Sequence, residues 1–372
     1  MVGDTNIVII KGLSNTLAFF DLTIFYLRNL SYTKMRIAYI VVLIVLMVLE
    51  LVYFKIADKC NIIDRPNARS SHSTIVLRGG GIVFPFSMLV WAGLLGGTGD
   101  WGVVIEHLPF LIGLVLIASV SFWDDVHSLP DSVRLVAQFV AMGLMFWNLG
   151  IMHWSMWWVV LIALIVFVGA TNVINFMDGI NGITAGYSFA VLLPLLLMNH
   201  TMGFSSESML VVAILGVAVF SFFNFRPRGK AKCFAGDVGS ISIAFIMLFI
   251  IGKLILSTND LTWLVFLLVY GIDGCCTIIH RIMLHENLGA AHRKHAYQLM
   301  ANELGMSHVV VSLIYMGLQL VVSLVMVYLI PNTPLAHWIY LMVVAIVLVL
   351  AYVLFMKKYY HLHEEYLASL KK

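Results

Sequence analysis

Eleven stretches of about 20 mostly apolar residues recur along the 372-residue chain, each long enough to cross a bilayer as a helix. They run approximately over 35–56, 80–98, 104–123, 133–150, 156–175, 183–199, 208–225, 240–257, 261–280, 308–330 and 336–356. Hydrocarbon offers no partner to backbone N–H and C=O groups, so such stretches fold as spanning helices packed on one another. The composition agrees, because 61% hydrophobic and 11% charged residues exclude both a water-soluble globule and a disordered chain. The predicted fold class is all-α, a polytopic integral membrane protein with about eleven transmembrane helices. A net charge of +3 gives no reason to expect nucleic acid as a partner. Cys60, Cys233, Cys275 and Cys276 lack metal-ligand spacing and read as idle or buried thiols.

The basic residues set the expected orientation. Lys55, Lys59, Arg65, Arg69, Arg78, Arg134, Arg226, Arg228, Lys230, Lys232, Arg281, Arg293, Lys294, Lys357, Lys358, Lys371 and Lys372 all fall in one set of connections or in the C-terminal tail. The opposite connections contain no Lys or Arg, and Lys253 is the nearest. The first set is therefore expected in the cytoplasm, with the N-terminus outside and the C-terminus inside. Three segments are expected: an N-terminal extension (1–34), a membrane-embedded domain (35–356) and a cytoplasmic tail (357–372). Within the extension, Thr16–Tyr32 carries Asp21 and Arg28 and makes a poor span. Two readings stay open for it, a segment lying on the membrane surface and an extension without function.

The unusual polar residues cluster on the same expected side. The first inner loop holds Arg69 and His72, then Arg78 and Gly80 in an Arg-Gly-Gly-Gly run. Guanidinium forks and close backbone N–H groups there suit phosphate oxygens, and a basic surface loop is the plainer alternative. Asp124 and Asp125 end the third span, where adjacent helical positions point about 100° apart, so one can meet a ligand while the other orients it. Asn172, Asn175, Asp178 and Asn181 recur every third residue and form a slowly turning polar stripe. Asp237 stands between two glycines at the start of span eight, where it can cap the helix or ligate Mg²⁺. The largest inner loop carries Arg281, His292, Arg293 and His295, a set better suited to an anion than to zinc.

Carboxylates in three of these patches and cations in two are the inventory of a metal-assisted phosphoryl transfer. Their order, Arg-Pro-Asn-x-Arg-Ser-Ser-His, Arg-Gly-Gly-Gly, Asp124-Asp125, Asn175-x-x-Asp178-Gly-x-Asn181-Gly, Gly236-Asp237-x-Gly-Ser240 and His292-Arg-x-His295-x-Tyr-Gln, resembles the polyprenyl-phosphate N-acetylhexosamine-1-phosphate transferases, glycosyltransferase family 4. The resemblance covers about residues 36–356. It is nearer the branch that starts O-antigen, common-antigen or capsule chains than the branch that transfers phospho-MurNAc-pentapeptide. Ile75 and Leu77 stand where many members have prolines, Ala235 where Met is usual, and Asn181 where several have a second Asp.

The resemblance implies a bacterial inner-membrane enzyme with its site on the cytoplasmic face. It implies transfer of N-acetylhexosamine-1-phosphate, by default from UDP-GlcNAc, to undecaprenyl phosphate, with UMP released. Expected catalytic residues are Asp124, Asp125, Asp178, Asp237, His292 and His295. Expected substrate contacts are Arg69, His72, Arg78, Gly80, Asn172, Asn175, Asn181, Arg281 and Arg293. Mg²⁺, with Mn²⁺ as a substitute, is expected on Asp237, Asp178 and Asp124. The expected partners are UDP-N-acetylhexosamine, undecaprenyl phosphate and the lipid bilayer, with a homodimer left open. A transporter or lipid flippase is the rival, disfavoured because the acids sit at span ends and no internal repeat is found.

Overall fold

The computed structural model describes residues 33–64, 75–152, 155, 157–289 and 292–369. Residues 1–32 and the expected site residues Arg69 and His72 lie outside the described residues. The chain divides into two compact units, Met1–Val45 and Leu46–Lys372. Of the first, residues 33–45 are described, as helix; everything below concerns the second.

Thirteen α-helices account for nearly all of the described chain. They are α1 (Thr33–Lys59), α2 (Val83–Thr98), α3 (Trp101–Glu106), α4 (Leu108–Val126), α5 (Asp131–Asn148), α6 (Trp157–Phe176), α7 (Ile183–Met202), α8 (Glu207–Asn224), α9 (Gly236–Thr258), α10 (Leu268–Met283), α11 (Ala296–Asn302), α12 (His308–Tyr328) and α13 (Pro334–Ser369). Short 3₁₀ turns precede α2 (Gly80–Ile82) and α10 (Leu261–Leu267). A two-residue antiparallel pair, β1 (Ile63–Asp64) with β2 (Val76–Leu77), is aligned Ile63 to Leu77.

The helix order follows from apolarity. Every residue of α9 from Val238 to Gly252 is buried, as expected of a helix apolar on all sides. It packs against α4, α6, α2 and α7 and forms the centre of the domain. Further pairs are α7 with α12, α4 with α5, α7 with α8 and α2 with α8. The rim helix α13 instead exposes Ile339, Val343, Ile346, Leu350 and Val353 in one stripe, a surface that only lipid tolerates. The chain is thus an all-α polytopic membrane protein.

All eleven apolar stretches are helical, and ten helices among the described residues are long and apolar enough to cross a membrane. The exception is α5, whose 18 residues include Asp131, Arg134, Gln138 and Asn148. The sequence-based boundary at 104 moves to Leu108, because the chain breaks between α3 and α4 at His107 and Pro109. The last helix runs through residue 356 without interruption; its 36 residues make a rod of ~54 Å at 1.5 Å per residue.

Candidate active site

The polar helix ends converge on one cavity of about 860 Å³. Asp124 and Asp125 enter it from the last turn of α4, Arg134 and Gln138 from α5, and Asn172 and Asn175 from α6. Asp178 comes from the α6–α7 connection, Asp237 from the first turn of α9, and His292 and His295 from the segment before α11.

The two adjacent aspartates divide their tasks. Asp125 is consumed by the fold: Oδ1 accepts the Asp237 N–H and Oδ2 the Val238 N–H, both at 2.9 Å, and Arg78 Nε lies 2.7 Å from Oδ1. A carboxylate from another helix thus caps the N-terminus of α9, where unpaired N–H groups and the helix dipole favour negative charge. Gly236 makes this approach possible. It sits at φ +69°, and a Cβ there would come within 2.6 Å of Asp125 Oδ2. Asp124 accepts the Leu129 N–H at 2.6 Å on Oδ1 and Arg134 Nη1 at 2.9 Å on Oδ2. The Asp124 and Asp237 carboxyl groups lie side by side, and Arg134 Nη1 lies 3.8 Å from Asp237 Oδ2. One guanidinium therefore bridges two facing carboxyl groups.

The polar stripe lines the neighbouring wall. Asn172 and Gln138 bond each other in both directions, with Nδ2 to Oε1 at 2.7 Å and Nε2 to Oδ1 at 3.3 Å, and Ser240 Oγ donates to Asn175 Oδ1 at 2.6 Å. Asp178 accepts the Thr184 hydroxyl, and burial pushes its carboxyl up to about 6. The rings of His292 and His295, which also line the cavity, stand 5.1 Å apart. Burial first, then the neighbouring His295 and Arg281, pushes His292 down to about 3, so it presents a neutral imidazole and not the cation its basic loop suggests.

Four expected substrate contacts are placed elsewhere. Asn181 turns away because α6 ends at Phe176; its Nδ2 donates to the carbonyls of Arg226 and Pro227 at 3.0 and 3.1 Å. Gly80 sits against Cys233, whose Sγ would lie 2.5 Å from an added Cβ. The N–H groups of Gly80 and Gly81 donate to Phe234 and Ala235 carbonyls at 2.8 and 3.0 Å, so these two glycines fasten two backbones together. Arg281 is buried and staples its own loop through Glu286 Oε2 and the carbonyls of Asn287 and Leu288. Arg293 pairs with Glu303 at 2.8 Å and stacks over Tyr366 of α13.

Arg134 and Gln138 are not among the expected site residues, although their i, i+4 spacing marks one polar face of α5. Gln298 also lines the cavity. Asp124 and Asp237 are the pair that could hold a divalent cation together. Among the described residues no three His, Cys, Asp or Glu groups converge on one metal-sized point.

Residues 107–255 match the family model of Glycosyl transferase family 4. The chain is 27% identical over 294 residues to the probable undecaprenyl-phosphate N-acetylglucosaminyl 1-phosphate transferase of Bacillus subtilis (strain 168), covering 74% of this chain and 79% of that protein. It is 25% identical over 194 residues to the phospho-N-acetylmuramoyl-pentapeptide-transferase of Lactiplantibacillus plantarum, covering 44% and 57%. A third relative, the enzyme of the same name from Thermotoga neapolitana, is 36% identical over 86 residues, covering 23% and 27%. The family match spans Asp124, Asp125, Asn172, Asn175, Asp178 and Asp237, the residues that meet at the cavity, and this chain is a polytopic membrane protein whose residues 107–255 are similar to glycosyl transferase family 4.

Proposed function

We propose that this chain transfers N-acetylhexosamine-1-phosphate, by default GlcNAc-1-phosphate, from a UDP-sugar to undecaprenyl phosphate. An oxygen of the lipid phosphate attacks the sugar-linked phosphorus. The bond from that phosphorus to the bridging oxygen breaks, giving undecaprenyl-diphospho-sugar and UMP. The observation that carries this reading is the pair Asp124 and Asp237, bridged by Arg134 in a cavity that His292 and His295 also line.

Both substrates are anions, so the site must offset phosphate repulsion before an in-line approach. Arg134 and Arg78 supply fixed positive charge on the carboxylate wall. The donor set there is oxygen only and opens on a cavity, which fits a hard cation. Asp237 and Asp124 would hold Mg²⁺, with Asp178 near it and Mn²⁺ as a substitute. The ion would complete its shell with substrate phosphates and water, and would supply neutralisation of phosphate charge. His292 and His295 face the diphosphate, and the amides of Asn172, Asn175 and Gln138 offer hydrogen bonds to the polar parts of either substrate. A lipid phosphate with second pKa near 6 is largely dianionic at pH 7, so Asp124 positions it without needing to take a proton. The basic connections support a cytoplasmic site on a bacterial inner membrane, where UDP-sugars are made.

The test is purified protein in detergent with undecaprenyl phosphate, Mg²⁺ and a panel of UDP-N-acetylhexosamines. UMP release and lipid-linked product with one donor, both abolished by EDTA, are the expected result. A folded protein that releases no UMP from any donor contradicts the reading.

A further inference from the structure

Asp273 belongs to none of the motifs and does not line the cavity. It lies on α10 at 3% exposure, inside the helix packing. Five donors surround its carboxyl group. Oδ1 meets the Ala296 N–H at 3.1 Å, Thr277 Oγ1 at 3.2 Å and His295 Nδ1 at 3.3 Å. Oδ2 meets the Tyr315 hydroxyl at 2.5 Å and the Tyr297 N–H at 3.4 Å. Of these five partners, only His295 reaches the cavity.

The His295 ring is fixed in orientation as well as in place. The rings of His292 and Tyr297 pack near it, at 5.1 and 5.7 Å. Its Nδ1 edge meets Asp273, and its Nε2, on the opposite edge, is buried without a hydrogen-bond partner. Two arrangements compete for Nδ1: donation to Asp273, or acceptance of the Gln298 N–H in a capping box. The Gln298 N–H already has the His295 carbonyl at 3.0 Å. A bare Nδ1, by contrast, would set a lone pair against a carboxylate oxygen with no proton between them. The first arrangement satisfies every group, and it leaves Nε2 as the one unsatisfied atom of the ring.

We propose that Asp273 is the positioning residue of His295, accepting its Nδ1–H and so presenting Nε2 to the diphosphate of the donor. This rests on the reaction proposed above. A phosphate oxygen only accepts hydrogen bonds, so the ring that meets it carries both protons. Nδ1–H stays on Asp273, Nε2–H faces the ligand, and the carboxylate balances the ring's positive charge. Without that carboxylate, Nδ1–H has no acceptor and nothing fixes which way the ring turns.

The test has one readout that does not depend on activity. Protein labelled with ¹⁵N at its histidines, in detergent, with UDP and Mg²⁺ as the probe, gives the protonation of each ring nitrogen. Comparison with His295→Gln assigns the signals. The expected result is a protonated Nδ1 on His295 whose signal shifts in Asp273→Asn. In turnover, Asp273→Asn is expected to lose about 10- to 100-fold in kcat, the size usual for removing the carboxylate partner of a working histidine. KM for the donor changes less than kcat. Tyr315→Phe, which touches Asp273 but leaves the His295 contact intact, is expected to lose less. An unprotonated Nδ1 in the wild type, or wild-type kcat in a folded Asp273→Asn, overturns the proposal. If Asp273→Asn does not fold, the wild-type spectrum alone decides. A protonated Nδ1 in a protein that releases no UMP from any donor would overturn the reaction and leave the pair standing.

Discussion

The two ends of α4 and α9 both bury ionisable groups among apolar helices, and they treat them differently. At the end away from the cavity, every such group has a local partner. His107 Nδ1 donates to the Val103 carbonyl, and its Nε2 receives Lys253 Nζ at 2.9 Å. Asp260 holds His337 at 2.5 Å and both the N–H and hydroxyl of Thr262. The hydrogen bonds of Asp260 hold its carboxyl below the usual carboxylate range in spite of burial. At the other end, Asp124 and Asp237 face each other over a cavity with one bridging guanidinium. A buried charge with its own counter-charge is a structural device. Two carboxyl groups held side by side at a cavity mark a functional site instead.

Asp237→Asn should separate the two ends most sharply, lowering turnover by about 10²- to 10³-fold, the usual cost of one lost charge-stabilising contact at a reacting phosphate or oxyanion. Its melting temperature should stay near that of the wild type, which a thermal scan of the same sample checks. Arg134→Ala should follow, with a loss of roughly 10²-fold in kcat/KM, because Asp124 and Asp237 then face each other without their bridging cation.

The Asp178 carboxyl, pushed up to about 6 by burial, predicts an acid limb. It carries a proton below that pH and is ionised above it, so kcat/KM should fall about tenfold per pH unit below 6 and level off above. Asp178→Asn should be weak at every pH and lack this limb. The sign for stability is opposite: the folded state holds this proton more tightly than the unfolded chain. Its contribution is therefore lost as pH rises towards 6. The smallest effect on chemistry should come from the far end. Asp260→Asn should cost about 1–3 kcal/mol of stability, measured by thermal unfolding, with turnover per folded molecule unchanged.

The helices were legible because apolar runs of spanning length have few other ways to satisfy their backbone, and all eleven runs are helical. Helix α5 is less apolar than the others because Arg134 and Gln138 face the cavity. Asp124, Asp178 and Asp237 could be picked out as acids at apolar helix ends, a placement that packing alone does not explain. What each neighbour does was harder to read. Asp125 spends both oxygens on the N-terminus of α9, 112 residues away, and no spacing in the chain announces such a contact. Arg281 and Arg293 look like anion binders in sequence, but Glu286 and Glu303 occupy them. Asn181 fell off the stripe because α6 stops at Phe176, and helical periodicity cannot see its own end. Asp273 lay unnoticed because its partners come from α11 and α12.

The most direct test compares UMP release by wild type, Asp237→Asn and Asp260→Asn at matched amounts of folded protein, with undecaprenyl phosphate, UDP-GlcNAc and Mg²⁺. Wild type and Asp260→Asn should release UMP at similar rates and Asp237→Asn should release almost none. Undiminished release by Asp237→Asn would contradict the assignment of the chemistry to the carboxylate end of the helices.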